Sequence, residues 1–177
     1  MTVKHSVPAN FLLLLPSSRI ANLPLDFVKR RDFVRYTVTT FKVHLDVAES
    51  GIRLKDSKDA EIIARGIFNR LDADKEHFVV MGTNNKNQIN GYKEVSTGTL
   101  TSSLVTPGEV FLAALRLRAA AIVCVHNHPS GDPAPSQEDV EITRRLKECG
   151  EMFAIRVLDH VILGADRYYS FSDRGLL

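Results

Sequence analysis

Two histidines, a serine and an aspartate stand close together in "HNHPSGDPAPSQED", residues 126–139. His126 and His128 end the apolar run "AAAIVCV", which is typical of a buried strand. A strand places residues i and i+2 on one face, so we expect both imidazoles to point to the same side. A loop of Pro and Gly then leads to Asp139. Two imidazoles and one carboxylate suit Zn²⁺ with a fourth position open for water, which predicts one zinc site per chain.

Each part of this stretch also has an ordinary structural explanation. An H-x-H pair on a strand is weak evidence for a metal by itself. The segment "SQED" is a capping box, in which Ser136 and Asp139 stabilise the start of a helix. Pro and Gly are routine at a turn between a strand and a helix. The metal hypothesis therefore depends on all three ligand-type side chains converging at one loop.

The flanking sequence predicts the elements that position this loop. We expect a strand at 119–128, then a helix that begins after Ser136 and stops at Gly150. Upstream, Ser57 is a candidate N-cap for a helix over 57–71, and Thr106 with Pro107 begins another helix. The remaining predicted strands are "YTVTTFKVHLDV", the hairpin pair "EHFVVMGT" and "YKEVSTGTL", then "MFAIRVLDHVILG" and "RYYSF". Together they indicate an α/β domain with helices covering a mixed sheet.

Composition and charge indicate one globular domain with an appendage. The chain has 177 residues, of which 44% are hydrophobic and 25% are charged. Residues 1–35 contain three prolines and no sustained period, so we predict a loosely ordered N-terminal arm there and the α/β domain over 36–177. The arm has six Lys/Arg against two Asp, a net charge of +4, although the whole chain is only +2. That overall charge is too small to argue for nucleic-acid or membrane binding.

Cysteine content and hydrophobic runs favour a cytoplasmic protein. The two cysteines, Cys124 and Cys149, provide no disulfide framework, which fits a reducing compartment. The run "NFLLLLPSS" is interrupted by Pro16 and is too short for a signal peptide or a transmembrane helix. We therefore expect no contact with a membrane.

The spacing of the ligand-type residues resembles a known family. The pattern His126-x-His128-x7-Ser136-x2-Asp139 matches H-x-H-x7-S-x2-D, the signature of the JAMM (JAB/MPN+) metalloproteases. The flanking "HNHPSGDPAPS", "STGTL" and "LDHVILG" are similar to its RadC-type bacterial branch, and the similarity covers about residues 40–177. The resemblance implies a JAMM/cytidine-deaminase-like domain. It also implies a zinc-dependent hydrolase of peptide or isopeptide bonds, with a protein or peptide as substrate.

The resemblance also implies a role for each residue of the motif. His126, His128 and Asp139 would bind zinc, and Ser136 would stabilise the oxyanion of the reaction. A glutamate upstream would act as the general base and acid. We favour Glu76, which precedes a buried strand and follows a helix, as in the family. Two alternatives are Glu94, inside the second strand of the hairpin, and Glu109, in the first turn of a helix.

Other polar residues near the motif have structural explanations. Asn127 stands where eukaryotic members have Ser or Thr, and by alternation its side chain points away from the metal. Asp132 is expected to form a turn, and His160 to be a satisfied core or outer-shell histidine rather than a fourth ligand. His77 is expected to face away from its neighbour Glu76.

Three other functions were weighed against hydrolysis. The RadC branch carries a DNA-repair label, and the charge of the arm would support weak phosphate contact. However, the first 40 residues contain no Gly-containing helix-hairpin-helix motif, and no basic patch is interleaved with aromatic residues. A chain that binds zinc without catalysis is disfavoured by the complete set of Glu, two His, Ser and Asp. An HNH nuclease is excluded because its motif residues are spread over a ββα-metal fold.

Overall fold

A five-stranded mixed sheet forms the centre of the region that the computed structural model describes, residues 51–98 and 105–177. The predicted arm at 1–35 and the predicted strand at 36–47 lie outside the described residues, so the domain boundary at residue 36 stays a prediction. The elements are α1 (Ser57–Phe68), β1 (Glu76–Thr83), β2 (Ile89–Gly98), α2 (Pro107–Arg116), β3 (Ala121–Asn127), α3 (Gln137–Phe153), β4 (Arg156–Leu163) and β5 (Tyr168–Ser170). The predicted α/β class with a mixed sheet is confirmed.

The sheet places β3 at its centre. The strand order is β2-β1-β3-β4-β5, and among these strands only β3 and β4 run parallel. β1 and β2 form the predicted antiparallel hairpin. β3 is hydrogen-bonded on both sides, so its direction and register are fixed by two neighbours. The end of β3, next to which the two histidines lie, is therefore held by strands on both sides.

The two faces of the sheet are covered by different helices. Val79 and Val125 face a core that includes α1, which we call the α1 face. Phe78 and Cys124 face a second core that includes α2 and α3, which we call the α2–α3 face. Each fully buried apolar side chain contributes roughly 1.5–3 kcal/mol relative to an exposed one. Alternation along β1 and β3 thus assigns every residue of these strands to one face or the other.

The N-cap of α1 differs from the prediction. Asp56 caps the helix, because its Oδ1 accepts a hydrogen bond of 2.9 Å from the amide of Asp59. The expected cap, Ser57, instead forms hydrogen bonds with the Tyr168 hydroxyl at 3.0 Å and with Asp173 at 2.6 Å. Ser57 therefore ties α1 to the C-terminal part of the chain. The prediction for α2 is confirmed, with Thr106 as N-cap and Pro107 in the first turn.

The predicted end of helix α3 at Gly150 is wrong, because the helix continues to Phe153. Its C-cap is Ala154, which adopts the left-handed conformation with φ of 53°. A Cβ atom on Gly150 would lie 2.6 Å from the carbonyl oxygen of Ile155. Gly150 therefore permits a close approach between α3 and the segment leading to β4, and it does not end the helix.

Helix α1 holds the turn between β4 and β5. The Arg65 guanidinium donates to three backbone carbonyl oxygens of this turn, each at 3.2 Å: Gly164, Ala165 and Arg167. Its Nε atom pairs with the buried carboxylate of Glu61. Burial opposes the charge of Glu61, but hydrogen bonds from Lys58 and Arg65 outweigh it and hold the pKa of Glu61 below its ordinary value. The turn is thus fixed from one side by an ionised pair.

Candidate metal centre

Strand β3 delivers both histidines to one end of the sheet. His126 pairs with Phe78 of β1 and with Ile162 of β4, and its side chain is only 1% exposed. The ring of Phe78 stacks on that of His126 with a centroid distance of 5.8 Å. The hydrogen bonding between this strand and β4 extends one residue beyond β3, because the amide of His128 donates to the Leu163 carbonyl at 3.0 Å. The predicted i, i+2 geometry thus places both imidazoles together at the carboxyl end of β3.

The first turn of α3 supplies the carboxylate. Ser136 is the N-cap, and its Oγ accepts from the amide of Asp139 at 3.1 Å. In return, Oδ2 of Asp139 accepts from the amide and the hydroxyl of Ser136, both at 2.7 Å. This capping box orients the Asp139 carboxylate and leaves Oδ1 directed at His126.

The three ligand-type side chains converge on one point. Nε2 of His126 lies 3.1 Å from Nε2 of His128 and 3.2 Å from Oδ1 of Asp139. Nε2 of His128 lies 3.5 Å from Oδ2 of Asp139. Ligands at ~2.0–2.1 Å in a tetrahedral zinc site are separated by about 3.3 Å from one another. The donor set and its spacing therefore fit Zn²⁺.

A buried hydrogen-bond chain fixes the tautomer of His126. Burial lowers the pKa of His160 well below its ordinary value, so this ring is neutral and carries one N–H. Thr143 Oγ1 donates to the carbonyl oxygen of Asp139 at 2.5 Å and accepts from Nδ1 of His160 at 2.6 Å. Nε2 of His160 then accepts from Nδ1 of His126 at 2.9 Å. Because Nδ1 donates, a neutral His126 ring has its lone pair on Nε2, the atom that faces His128.

The loop that follows β3 orients the ring of His128 so that its Nε2 also faces the centre. Its Nδ1 donates to the backbone carbonyl of Asp132 at 2.7 Å, so in the neutral ring Nε2 is the acceptor nitrogen. When both rings are neutral, their Nε2 lone pairs face each other across 3.1 Å, an arrangement that a cation between them stabilises.

The charge of Asp139 reinforces this preference for a cation. Burial raises the pKa of its carboxyl, but the hydrogen bonds that it accepts from ring N–H groups of His126 and His128 when no cation is bound outweigh burial and hold that pKa far below its ordinary value. The same carboxylate raises the pKa of His128. Asp139 is therefore ionised at neutral pH, and the centre attracts positive charge.

Glu76 lies on the same face of the sheet as the two imidazoles. It is the first residue of β1, two residues before Phe78, and Phe78 pairs with His126. Residues i and i+2 share a face, so Glu76 belongs to the α2–α3 face at the end of the sheet where His128 lies. The hydrogen bond with Asp139 is the main cause of the raised pKa of His128, and the charge of Glu76 makes a smaller contribution in the same direction.

The other two glutamates are engaged elsewhere. Glu94 pairs with Val79, which faces α1, and its carboxylate contacts Nδ1 of His77 at 2.5 Å. Glu109 closes the capping box of α2, where it accepts from Thr106 Oγ1 at 3.0 Å. Of the three candidate bases, Glu76 alone shares a face with the imidazoles.

Several smaller expectations can be compared with the structure. Oδ1 of Asp132 accepts from the amide of Ala134 at 3.2 Å, as expected of a turn former. His160 lies behind His126, as expected of an outer-shell histidine. Thr143 was not anticipated, although its position four residues after Asp139 places both on one side of α3. That helical spacing was the available signal.

The loop between the histidines and Asp139 rests on the turn between β4 and β5. The amide of Ala165 donates to the Gly131 carbonyl at 3.0 Å. A Cβ atom on Gly164 would lie 2.5 Å from that same carbonyl oxygen and 2.7 Å from Cδ of Pro133. Only glycine allows this approach, so Gly164 helps to set the position of the loop.

We expect Gly164→Ala to displace the loop. The added methyl group should lower the free energy of unfolding by about 1–3 kcal/mol, as in other overpacked sites. It should also weaken zinc binding by roughly 10–100-fold, the usual effect of disturbing outer-shell support. Urea denaturation and competition with a chelating indicator measure the two effects. Gly66→Ala is the matched control, because nothing lies within 4 Å of the added Cβ. Equal behaviour of the two variants would contradict the prediction.

Fold and centre together define an α/β domain with a candidate metal site at the carboxyl end of its central strand. The model of the RadC-like JAB domain matches residues 55–176, and the chain belongs to this family. The resemblance to the RadC-type branch, inferred above from the motif, is thereby confirmed.

Curated relatives carry the family name UPF0758. The chain is 54% identical over 106 residues to a "UPF0758 protein" of Pelobacter propionicus, covering 60% of this chain and 46% of that protein. It is 52% identical over 101 residues to a "UPF0758 protein" of Bacillus cereus, covering 57% of this chain and 45% of that protein. The chain thus spans about half the length of the curated relatives that it matches.

Within residues 51–98 and 105–177, no helix combines the length and the apolar character needed to cross a bilayer.

Proposed function

We propose that this domain is a zinc-dependent hydrolase that cleaves peptide or isopeptide bonds in a protein or peptide substrate. The observation that carries the proposal is the convergence of His126, His128 and Asp139, whose ligand atoms all lie within 4.8 Å of one another. Membership of the RadC-like JAB family supports the same class of chemistry. Ser136 contacts Asp139 directly, and Glu76 lies on the same face of the sheet as the imidazoles, so these two residues would supply the further groups that such a reaction needs.

The proposed reaction assigns one task to each side chain. Bound Zn²⁺ would act as a Lewis acid and lower the pKa of a coordinated water to about 7. His126, His128 and Asp139 would hold the ion through the atoms that already face one another. Glu76 would accept the proton of the attacking water and then donate it to the leaving amine.

Ser136 has the geometry for a second task besides capping. Its Oγ accepts from the amide of Asp139 and donates its hydrogen to Oδ2 of the same residue. The hydroxyl can turn that hydrogen toward the substrate oxyanion without losing the cap, because the cap uses only a lone pair. Ser136 would thus stabilise the oxyanion as charge develops in the transition state.

A chelator-controlled screen tests the proposal. The zinc-loaded protein is incubated with libraries of peptides and of isopeptide-linked peptides, and products are identified by mass spectrometry. We expect cleavage that stops when the zinc is chelated and returns when zinc is restored. A complete absence of cleavage by protein shown to carry one zinc per chain would overturn the proposed function.

A further inference from the structure

We propose that Asn127 is a positioning residue for Glu76, which it holds through the backbone on either side of it. This inference rests on the proposed function of Glu76 as the general base. Asn127 lies between the two histidines in sequence, and its side chain points away from them, as expected from strand alternation. The side-chain amide of Asn127 connects the end of β3 to the start of β1 through hydrogen bonds.

The two hydrogen bonds of the Asn127 amide bracket Glu76. Its Oδ1 accepts from the amide of His77 at 2.8 Å. Its Nδ2 donates to the carbonyl oxygen of Lys75 at 2.9 Å. The donor and the acceptor of one planar group therefore bind the two backbone groups that immediately flank Glu76. The backbone at Glu76 cannot shift without breaking one of these bonds.

The two hydrogen bonds of the Asn127 amide, which we call the clamp, lie just beyond the paired part of β1 and β3. The paired residues of β1 and β3 begin with Phe78 and His126 and end with Thr83 and Ala121. Lys75 and His77 lie at the start of β1, before that pair. The Asn127 side chain extends the connection to them, so it fixes Glu76 relative to the same strand that carries the histidines.

Asn127 is matched to this task by its chemistry. Asparagine offers a donor and an acceptor on one planar group, whereas an aspartate offers only acceptors. An aspartate at this position would set a negative oxygen against the Lys75 carbonyl. An alanine would leave both backbone groups without their side-chain partner.

A second set of contacts, also on the α1 face, holds the same segment. Nδ1 of His77 contacts Glu94 at 2.5 Å, and its Nε2 contacts the backbone carbonyl of Asp72 at 2.8 Å. The His77 ring is 4% exposed, so these contacts are shielded from water. The backbone that carries Glu76 is thus fixed by the His77 ring and by the Asn127 amide. A general base must lie within hydrogen-bond reach of its proton, and a displacement of 1 Å can cost about 10²-fold in rate.

The first test measures the clamp without using activity. Amide hydrogen exchange of His77 is compared between wild type and Asn127→Ala by NMR. We expect exchange at His77 to become at least about tenfold faster, since its acceptor is gone. Asn90→Ala is the matched control: Nδ2 of Asn90 also binds backbone carbonyls, of Leu117 and Arg118, but at the end of β1 opposite to His77. It should leave His77 unchanged. Unaltered exchange in Asn127→Ala would overturn the clamp.

The second test asks whether the clamp acts through Glu76. We expect Asn127→Ala to lower kcat by about 10–100-fold while zinc content and KM stay near wild type. In the background of Glu76→Gln, the same substitution should cause no further loss, because the residue that it positions is already inactive. Independent losses in the double variant, or an unchanged kcat in Asn127→Ala, would contradict a positioning role.

One further variant and the exchange measurement distinguish a failure of the clamp from a failure of the proposed function. Asn127→Asp retains the acceptor for His77, so exchange of the His77 amide should stay close to wild type even though the donor to Lys75 is lost; this provides a second variant if alanine destabilises the fold. If wild type cleaves no substrate, the proposed function falls. The exchange of the His77 amide still decides whether Asn127 holds the segment around Glu76.

Discussion

Replacing His128 with alanine is expected to abolish tight zinc binding and leave the fold intact. The substitution removes one of three ligands, so the loss of affinity should exceed the roughly 10–100-fold that outer-shell changes cause. The His128 side chain is 18% exposed at the end of β3, so its truncation leaves no large buried cavity. Elemental analysis after dialysis should find one zinc per chain in wild type and close to none in the variant.

Thermal unfolding provides an independent measure of the same loss. A ligand that binds only the native state raises stability by RT ln(1 + [L]/Kd). Added zinc should therefore raise the melting temperature of wild type but not that of His128→Ala. Asp132→Ala is the matched control, because its carboxylate caps a turn in the same loop and should leave zinc content unchanged. Equal zinc occupancy in wild type and His128→Ala would remove the metal hypothesis, and the proposed function with it.

The Glu76→Gln variant is expected to retain zinc and to lose hydrolysis. The amide has nearly the shape of the carboxylate, but it has no lone pair basic enough to accept a proton from water. General-base catalysis typically contributes 10²–10⁴-fold, so kcat should fall by about that factor. Steady-state kinetics on a substrate from the library screen measures the loss, and elemental analysis verifies the zinc.

Two matched variants identify the base. Glu109→Gln should keep kcat within a few-fold of wild type, since this carboxylate belongs to the capping box of α2. Glu94→Gln alters a carboxylate on the α1 face, where it contacts His77. If Glu76→Gln kept full turnover and Glu94→Gln lost it, the base would be Glu94. If neither lost it, the reaction would use another group.

Local signals predicted most of the described elements well. The strand "EHFVVMGT" was predicted over the same residues that form β1, because an apolar run bounded by turn residues is a strong strand signal. Thr106 and Pro107 begin α2 as expected, since the capping box is local chemistry. The errors at helix ends, Ser57 as a cap and Gly150 as a stop, both arise from contacts with residues outside the helix: Tyr168, which is distant in the sequence, and Ile155. Such contacts leave no periodic trace in the sequence.

The candidate site was predictable for a similar reason, and only in part. Strand alternation brings His126 and His128 to one side, and the loop brings Asp139 to them. The support of His126 by His160 depends on the pairing of β3 with β4, which no spacing within the motif encodes. The charge behind the DNA hypothesis lies in residues 1–35, outside the described residues, and that hypothesis stays a prediction.

The alternation at the end of β3 also restricts how the length of this chain can vary. His126 and His128 serve one face of the sheet, and Asn127 between them serves the other. An insertion or deletion of a single residue within β3 would exchange the faces, turning the imidazoles toward α1 and the amide toward α3. A substitution in this strand can have a small or a large effect. An insertion or deletion of one residue, in contrast, removes the metal ligands and the clamp together. Length variants of the domain that keep the centre are therefore expected to place their extra residues elsewhere, as at Asn85 and Lys86, which are exposed at the tip of the hairpin turn.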